Sequence, residues 1–126
     1  MSKSTFVALA AAARTASTAG PVLEWKSARA LRLYLTVTAA GGSGGLQVVV
    51  RGYATLDGAA VELSAGGPPV GSTGVFVYEM QPWPGPEATG AVLEVTNRAV
   101  PVQWDVYVKH GDTASYTYSV VAEAHD

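Results

Sequence analysis

An alternating pattern near the C-terminus constrains the fold of this chain more than any other feature. Over residues 100–109 every second residue is a valine or a tryptophan, and the residues between them are mostly polar. Residues 114–120 alternate in the same way, with the sequence His-Gly-Asp between the two runs. A period of two is typical of strands with one buried face, because successive side chains point to opposite sides. We therefore expect a β-hairpin in which Gly111 supplies the positive φ of a tight turn and Trp104 lies in the core.

Further short runs rich in valine, leucine and tyrosine precede this pair of strands. Glycine and proline, which number 14 and seven in the 126 residues, separate these runs and favour turns over helices. The predicted strands comprise residues 22–25, 30–38, 46–55, 60–64, 75–80 and 91–96, followed by the two C-terminal strands. The expected fold is therefore all-β, an antiparallel β-sandwich or barrel of about 7–8 strands.

The first 20 residues differ from the rest of the chain. Residues 8–13 are almost all alanine and show neither a helical period nor a capping residue, and Gly20-Pro21 interrupts the backbone. We expect residues 1–20 to form an extended N-terminal arm that adds little to the core, and residues 21–126 to form a single β domain. The apolar stretch 6–13 is short and follows one basic residue, which favours a cytosolic start over a signal peptide. No stretch approaches the roughly 20 apolar residues of a membrane span, so no membrane partner is expected.

The charge and the cysteine content narrow the classes of partner and site. The formal net charge is −2 without a basic run, which argues against nucleic-acid binding. The absence of cysteine excludes disulfides and thiolate metal sites. Charged residues make up only 14% of the chain, which is low for a soluble monomer. Either part of the surface is covered by partners, or the chain is a small β domain with a surface rich in serine and threonine.

No arrangement typical of an enzyme, a cofactor site or a metal site stands out. His110 and Asp112 lie in a predicted turn, without a serine or cysteine motif that would complete a nucleophilic arrangement. The glycine-rich segment 39–45 lacks the Lys-Ser/Thr pair that ends a phosphate-binding loop. Single carboxylates are scattered among strands and turns, which neither favours nor excludes a glycosidase pair. We expect no enzymatic activity, no cofactor and no metal.

The aromatic residues leave two pairs of alternatives open. Trp83 lies between two prolines, which restrict the backbone and suit a residue that contacts a partner. The alternative is that Trp83 folds back over one end of the sandwich. Tyr53, Tyr107, Tyr116 and Tyr118 form either an exposed stripe for sugar stacking or ordinary cross-strand packing.

Three stretches of the chain carry a resemblance to a known family. They are residues 11–16 with the Ser/Thr that follows, the strand 30–38, and the ending 102–110 with 115–119. These stretches resemble small structural proteins of tailed bacteriophages, described as head decoration or minor structural proteins. The resemblance implies a non-enzymatic protein that binds the major capsid protein on the outside of the head and cements neighbouring capsomers, commonly as a trimer at local three-fold positions. It implies synthesis in the host cytoplasm and a final location in the virion.

The partner-binding residues expected on this basis are Phe6, Leu9 and Arg14 in the arm and Trp83 on its proline-fixed loop. Arg14 would pair with an acidic residue of the shell. Two other functions stay open. The first is another virion subunit, such as one of the tail tube, connector or baseplate, which predicts rings or tubes. The second is a carbohydrate-binding β-sandwich module, which predicts sugar affinity through an exposed aromatic row.

Overall fold

The structure is a computed structural model that describes residues 3–24, 29–53, 58–82 and 92–125. Within these ranges the chain forms ten strands and no helix, which confirms the all-β prediction. The strands are β1 (Lys3–Arg14), β2 (Thr18–Ala19), β3 (Leu23–Glu24), β4 (Ala30–Ala40), β5 (Leu46–Tyr53), β6 (Ala60–Glu62), β7 (Gly74–Gln81), β8 (Val92–Asn97), β9 (Gln103–His110) and β10 (Tyr116–His125). Trp83 lies outside the described residues, so its predicted contact role stays a prediction.

The ten strands form two sheets that face each other across an apolar core. Sheet A has the order β1-β10-β4-β7-β8, and sheet B has the order β2-β9-β5-β6, with β3 also paired to β9. The pairs are antiparallel except for β7 and β8, which run parallel. Two mostly antiparallel sheets with a shared core are the architecture of a β-sandwich, one of the two architectures predicted from the sequence.

The core lies between the two sheets and is centred on large side chains from both. Trp104 of sheet B is fully buried, at 0% exposure, which confirms its predicted place in the core. Tyr116 and Tyr118 of sheet A are buried on the facing side. The Phe6 ring packs against Trp104 with 6.0 Å between the ring centroids. The alternation seen in the sequence therefore does mark the buried faces of β9 and β10.

The predicted hairpin between these two strands is wrong. β9 belongs to sheet B and β10 to sheet A, so the segment that joins them crosses from one sheet to the other. Gly111 does not adopt a positive φ. It is required for a different reason, because a Cβ at this position would collide with the backbone of Gly44. Alternation indicates which side chains are buried, and two strands can bury their faces in one core from opposite sheets.

The described part of the N-terminal segment forms strands, and the expectation that the segment adds little to the core is wrong. Its described part includes β1, which pairs with β10 along its whole length, from Lys3 opposite His125 to Arg14 opposite Tyr116. Ala8 and Leu9 of β1 are buried in the core. Two register shifts interrupt the ladder of β1, and each shift breaks the alternation. This irregularity explains why the sequence of β1 shows no period of two.

Candidate interaction surface

Five apolar side chains from five strands line up across sheet A. Val7 in β1 pairs with Val121 in β10, Val121 pairs with Tyr34 in β4, Tyr34 pairs with Val77 in β7, and Val77 pairs with Val92 in β8. Residues paired across neighbouring strands project from the same face of the sheet. We call these five residues the apolar row.

The apolar row lies on the outer face of sheet A, away from the core. Leu33 and Leu35, which flank Tyr34 along β4, are buried in the core, so Tyr34 projects to the opposite side. Val7 is the most open member of the row, with 59% of its surface exposed, and the other members are half-buried. Val75, at 53% exposure, continues the apolar surface along β7. The sheet thus presents a band of apolar side chains that no described part of the chain covers fully.

On the central strands β10 and β4, polar residues flank the apolar row on both sides. On one side Glu123, Arg32 and Glu79 occupy the next outward register positions. Arg32 donates hydrogen bonds to Glu79 over 2.9 and 2.7 Å, and bonds to Tyr34 and Glu79 raise the pKa of Arg32. On the other side Ser119 pairs with Thr36. An apolar centre with a polar rim is the common anatomy of a protein–protein interface.

A cluster of polar and aromatic side chains around His110 connects the loops at one end of the sandwich. His110 Nε2 lies 2.7 Å from the Tyr118 hydroxyl, and the Arg14 guanidinium lies 4.8 Å from the centre of the Tyr118 ring. Burial lowers the pKa of His110, and Arg14 lowers it further, while Asp112 opposes both. Asp112 accepts a hydrogen bond from the Gly44 amide over 2.7 Å, and bonds of this kind lower the pKa of Asp112. These contacts join the 41–45 loop to the segment after β9, which agrees with a structural role for the predicted turn.

A buried ion pair lies on the outer face of sheet B. Asp105 is only 1% exposed, and Arg51 donates two hydrogen bonds to its carboxylate over 2.9 and 2.6 Å. The Tyr53 hydroxyl donates a third over 2.6 Å, and the Arg51 guanidinium lies 4.2 Å from the centre of the Tyr107 ring. Tyr53 and Tyr107 are therefore committed to this cluster.

The four tyrosines considered for sugar stacking do not form one exposed stripe. Tyr116 and Tyr118 are buried in the core. Tyr53 and Tyr107 are half-buried and lie on sheet B, in contact with Arg51. The structure supports the alternative of packing within the fold for this set of residues.

A small cavity opens at the side of the sandwich next to β8. Its lining includes Ser64, Tyr78 and Glu94, and its volume is about 10 Å³, enough for roughly one water. Glu94 accepts hydrogen bonds from the amides of Gly66 and Gly67 over 3.2 and 3.0 Å, and these two glycines have positive φ. Burial raises the pKa of Tyr78 well above its ordinary value. The carboxylate thus ties the loop after β6 to sheet A, and the cavity is too small for an organic ligand.

The partner-binding residues predicted in the N-terminal segment take part in contacts within the chain. Phe6 packs against Trp104, and Leu9 is only 7% exposed. Arg14 donates hydrogen bonds to the carbonyls of Ala10 over 2.6 Å and of Tyr118 over 3.0 Å. The structure does not bring these three side chains together at one exposed surface, and their partner-binding role stays a prediction.

Sequence reasoning did not find the apolar row, although the sequence carries a signal for it. The runs 75–78 and 120–122 are apolar without a break, so strict alternation fails there. Such runs are typical of strands with apolar residues on both faces. The alignment of five strands into one row follows only from register, which pairs positions far apart in sequence.

The residues that the structure describes contain neither a metal-binding group of side chains nor a membrane-spanning helix. In those residues no group of three or more histidine, aspartate or glutamate side chains is placed to hold a metal ion. The same residues contain no helix long and apolar enough to cross a membrane.

Comparisons with protein-family models, with curated proteins and with solved structures gave no match to this chain.

Proposed function

We propose that this protein is a bacteriophage head decoration protein. It binds the major capsid protein on the outer surface of the head, stabilises contacts between capsomers and acts without catalysis. It works as a homo-oligomer, with the trimer as the expected form, and passes from the host cytoplasm into the virion. The resemblance of residues 30–38 and 102–110 to phage head proteins supports the capsid part of this proposal.

The apolar row is the single observation that carries a binding function. Val7 in the row and Val75 beside it are more than half exposed, and the other members of the row are half-buried. Large exposed apolar patches are rare on monomeric soluble domains and commonly mark contact surfaces. The row spans five strands, so it is a feature of the whole sheet rather than one stray valine. A protein whose most distinctive surface is an apolar band is suited to binding other proteins.

The polar clusters support a static role. The carboxylates of Asp105, Asp112 and Glu94 each accept several hydrogen bonds from groups of the same chain. Networks of this kind hold strands and loops in one arrangement. A rigid subunit with few charges can sit beside copies of itself without strong repulsion, and several weak contacts then add up to durable attachment.

The experiment compares phage particles that carry this protein with particles assembled without it. We expect the deficient particles to assemble normally but to release their DNA at a lower temperature. Purified protein added back should bind the heads and restore the release temperature, whereas an unrelated β-sandwich protein at the same concentration should not. Deficient particles that are as heat-resistant as complete ones would overturn the proposal.

A further inference from the structure

We infer that the apolar row is the surface through which copies of this chain contact one another, with sheet A of each copy turned toward the symmetry axis of the oligomer. This inference deepens the proposed function by assigning the contact between subunits. It rests on the proposed function only for the expectation that copies associate, and it is tested without capsids.

The charges around the apolar row argue for a second copy as its occupant. Arg32 pairs with Glu79 at 2.7 Å, and Glu123 lies 2.8 Å from the His125 ring nitrogen, so these polar groups already have partners within the chain. A strongly charged partner would gain little from a face whose charged groups already have hydrogen-bond partners. A partner with an apolar centre and a rim of hydrogen-bonded polar groups suits this face better, and a second copy presents such a surface by construction.

The position of the apolar row within sheet A fits a symmetric contact. Tyr34 lies on β4, the middle strand of the five, and two strands flank it on either side. When sheet A of each copy faces a shared axis, the centre of the row lies nearest to that axis and meets its own counterpart. Val7 and Val92 then lie at the two ends of the contact.

The size of the face is adequate for a stable contact. Five strands span about 24 Å, and the eight residues of β7 extend about 26 Å, which gives a projected area on the order of 600 Å². Side-chain relief adds to this area, and a stable interface buries about 800 Å² per partner. The outer face of sheet A can therefore supply a contact at the lower end of the standard range, which begins at about 600 Å² per partner.

The test uses two double variants matched in exposure. Val7→Lys with Val75→Lys places two charges on the outer face of sheet A, at positions 59% and 53% exposed. Val22→Lys with Val102→Lys is the control, at positions 52% and 58% exposed next to sheet B. Light scattering after size exclusion, at about 100 µM protein, measures the mass of each. Circular dichroism checks that each variant keeps its β-structure.

We expect the wild-type protein and the control to show two or three times the chain mass of 13.0 kDa. The variant on sheet A should be monomeric, with a dissociation constant raised on the order of 100-fold. A monomeric wild-type protein would overturn the inference. Equal masses for the two double variants, whether oligomeric or monomeric, would also overturn it.

Cross-linking gives a second readout that does not depend on lysine substitutions. The chain contains no cysteine, so Tyr34→Cys and Val102→Cys each introduce a single thiol. A short bismaleimide should link copies of the Tyr34→Cys variant and should not link copies of the Val102→Cys variant. The reverse pattern, or equal linking of both, counts against the inference.

Binding to heads separates this inference from the proposed function. Oligomers that depend on the apolar row but do not bind deficient phage particles would support the inference and overturn the proposed function. If this protein binds the deficient heads but its self-association does not depend on the apolar row, the proposed function is supported and the inference is overturned.

Discussion

Asp105 lies on the polar side of an alternating strand, and yet it is almost completely buried. In the register of sheet B its neighbour on β5 is Arg51, which covers the carboxylate and bonds to both of its oxygens. Tyr53 closes the remaining side. A buried carboxylate is tolerated only when it is paired and hydrogen-bonded, and these three contacts meet that condition.

We predict that Asp105→Asn destabilises the protein by about 2–3 kcal/mol, because it leaves the Arg51 guanidinium, whose side chain is 19% exposed, without its charge partner. The matched control is Glu62→Gln, which breaks the Lys109–Glu62 pair, whose side chains are 40% and 43% exposed. That change should lower stability by less than about 1 kcal/mol. Urea unfolding of both variants measures the difference, and equal losses would contradict the role given to Asp105.

His110 predicts a dependence of stability on pH. Burial lowers its pKa below the ordinary value of 6.5 in the folded protein, whereas the unfolded chain takes up the proton at the ordinary value. As the pH falls below 6.5, the unfolded state therefore binds more protons, and stability decreases. The contribution of His110 to stability is fully present above the pKa of the unfolded chain. It is lost as the pH falls through the lower pKa of the folded protein.

The variant His110→Gln removes this titration and keeps a polar group near the Tyr118 hydroxyl. We expect its melting temperature to fall less than that of the wild type between about pH 8 and about pH 5.5. Asp112 does not interfere, because its pKa is lowered from 3.8 and it titrates below this window. Parallel pH curves for the two proteins would show that His110 does not carry the effect.

At the scale of elements, β1 is the strand whose role the sequence misrepresents most. It covers one edge of β10 and adds Ala8 and Leu9 to the core. The glycine at position 20 marks a further contact of this strand, since a Cβ there would lie 2.6 Å from the Ala8 carbonyl oxygen. β1 is therefore held by β10 on one side and approached by sheet B on another.

We predict that Leu9→Ala lowers the free energy of unfolding by about 2–3 kcal/mol, because it removes a buried side chain from the core. Val102→Ala, at an exposed valine outside the apolar row, should change it by less than about 0.5 kcal/mol. Chemical denaturation at low protein concentration keeps association out of the comparison. A loss for Leu9→Ala as small as that for Val102→Ala would show that β1 is not part of the core.

The strands themselves could be predicted from the sequence, and their partners could not. The eight runs predicted between residue 22 and the C-terminus overlap strands β3 to β10. Alternation placed Trp104 on one face of its strand, and Tyr116 and Tyr118 together on one face of theirs. This was possible because the burial of one face produces alternation within each strand separately. Sheet membership depends on contacts between distant segments, so the crossing from β9 to β10 left no local mark.

The apolar row could not be predicted from the sequence, again because it depends on how distant strands pair. Tyr34 and Val121 each look like ordinary members of their own strands, and only the ladder between β4 and β10 makes them neighbours. Three of the four candidate partner-binding residues, Phe6, Leu9 and Arg14, lie in an N-terminal segment without a pattern. Its irregular ladder explains both the missing pattern and the burial of Leu9.

At the scale of the whole molecule, the two faces of the sandwich differ in kind. On the outer face of sheet B, the Arg51 guanidinium and the Tyr53 hydroxyl donate hydrogen bonds to Asp105, whereas the outer face of sheet A carries the apolar row. We propose that this asymmetry orients the protein. In this proposal the apolar face serves contacts between copies, and the assembled subunits bind the phage head.

The most direct test of this account is cryo-microscopy of intact virions that carry this protein, beside virions assembled without it. A difference map between the two should show density on the outside of the head, at local three-fold positions, with no difference in the tail. The sandwich should fit that density with the sheet A faces turned toward one another. Difference density confined to the tail, connector or baseplate would contradict the account.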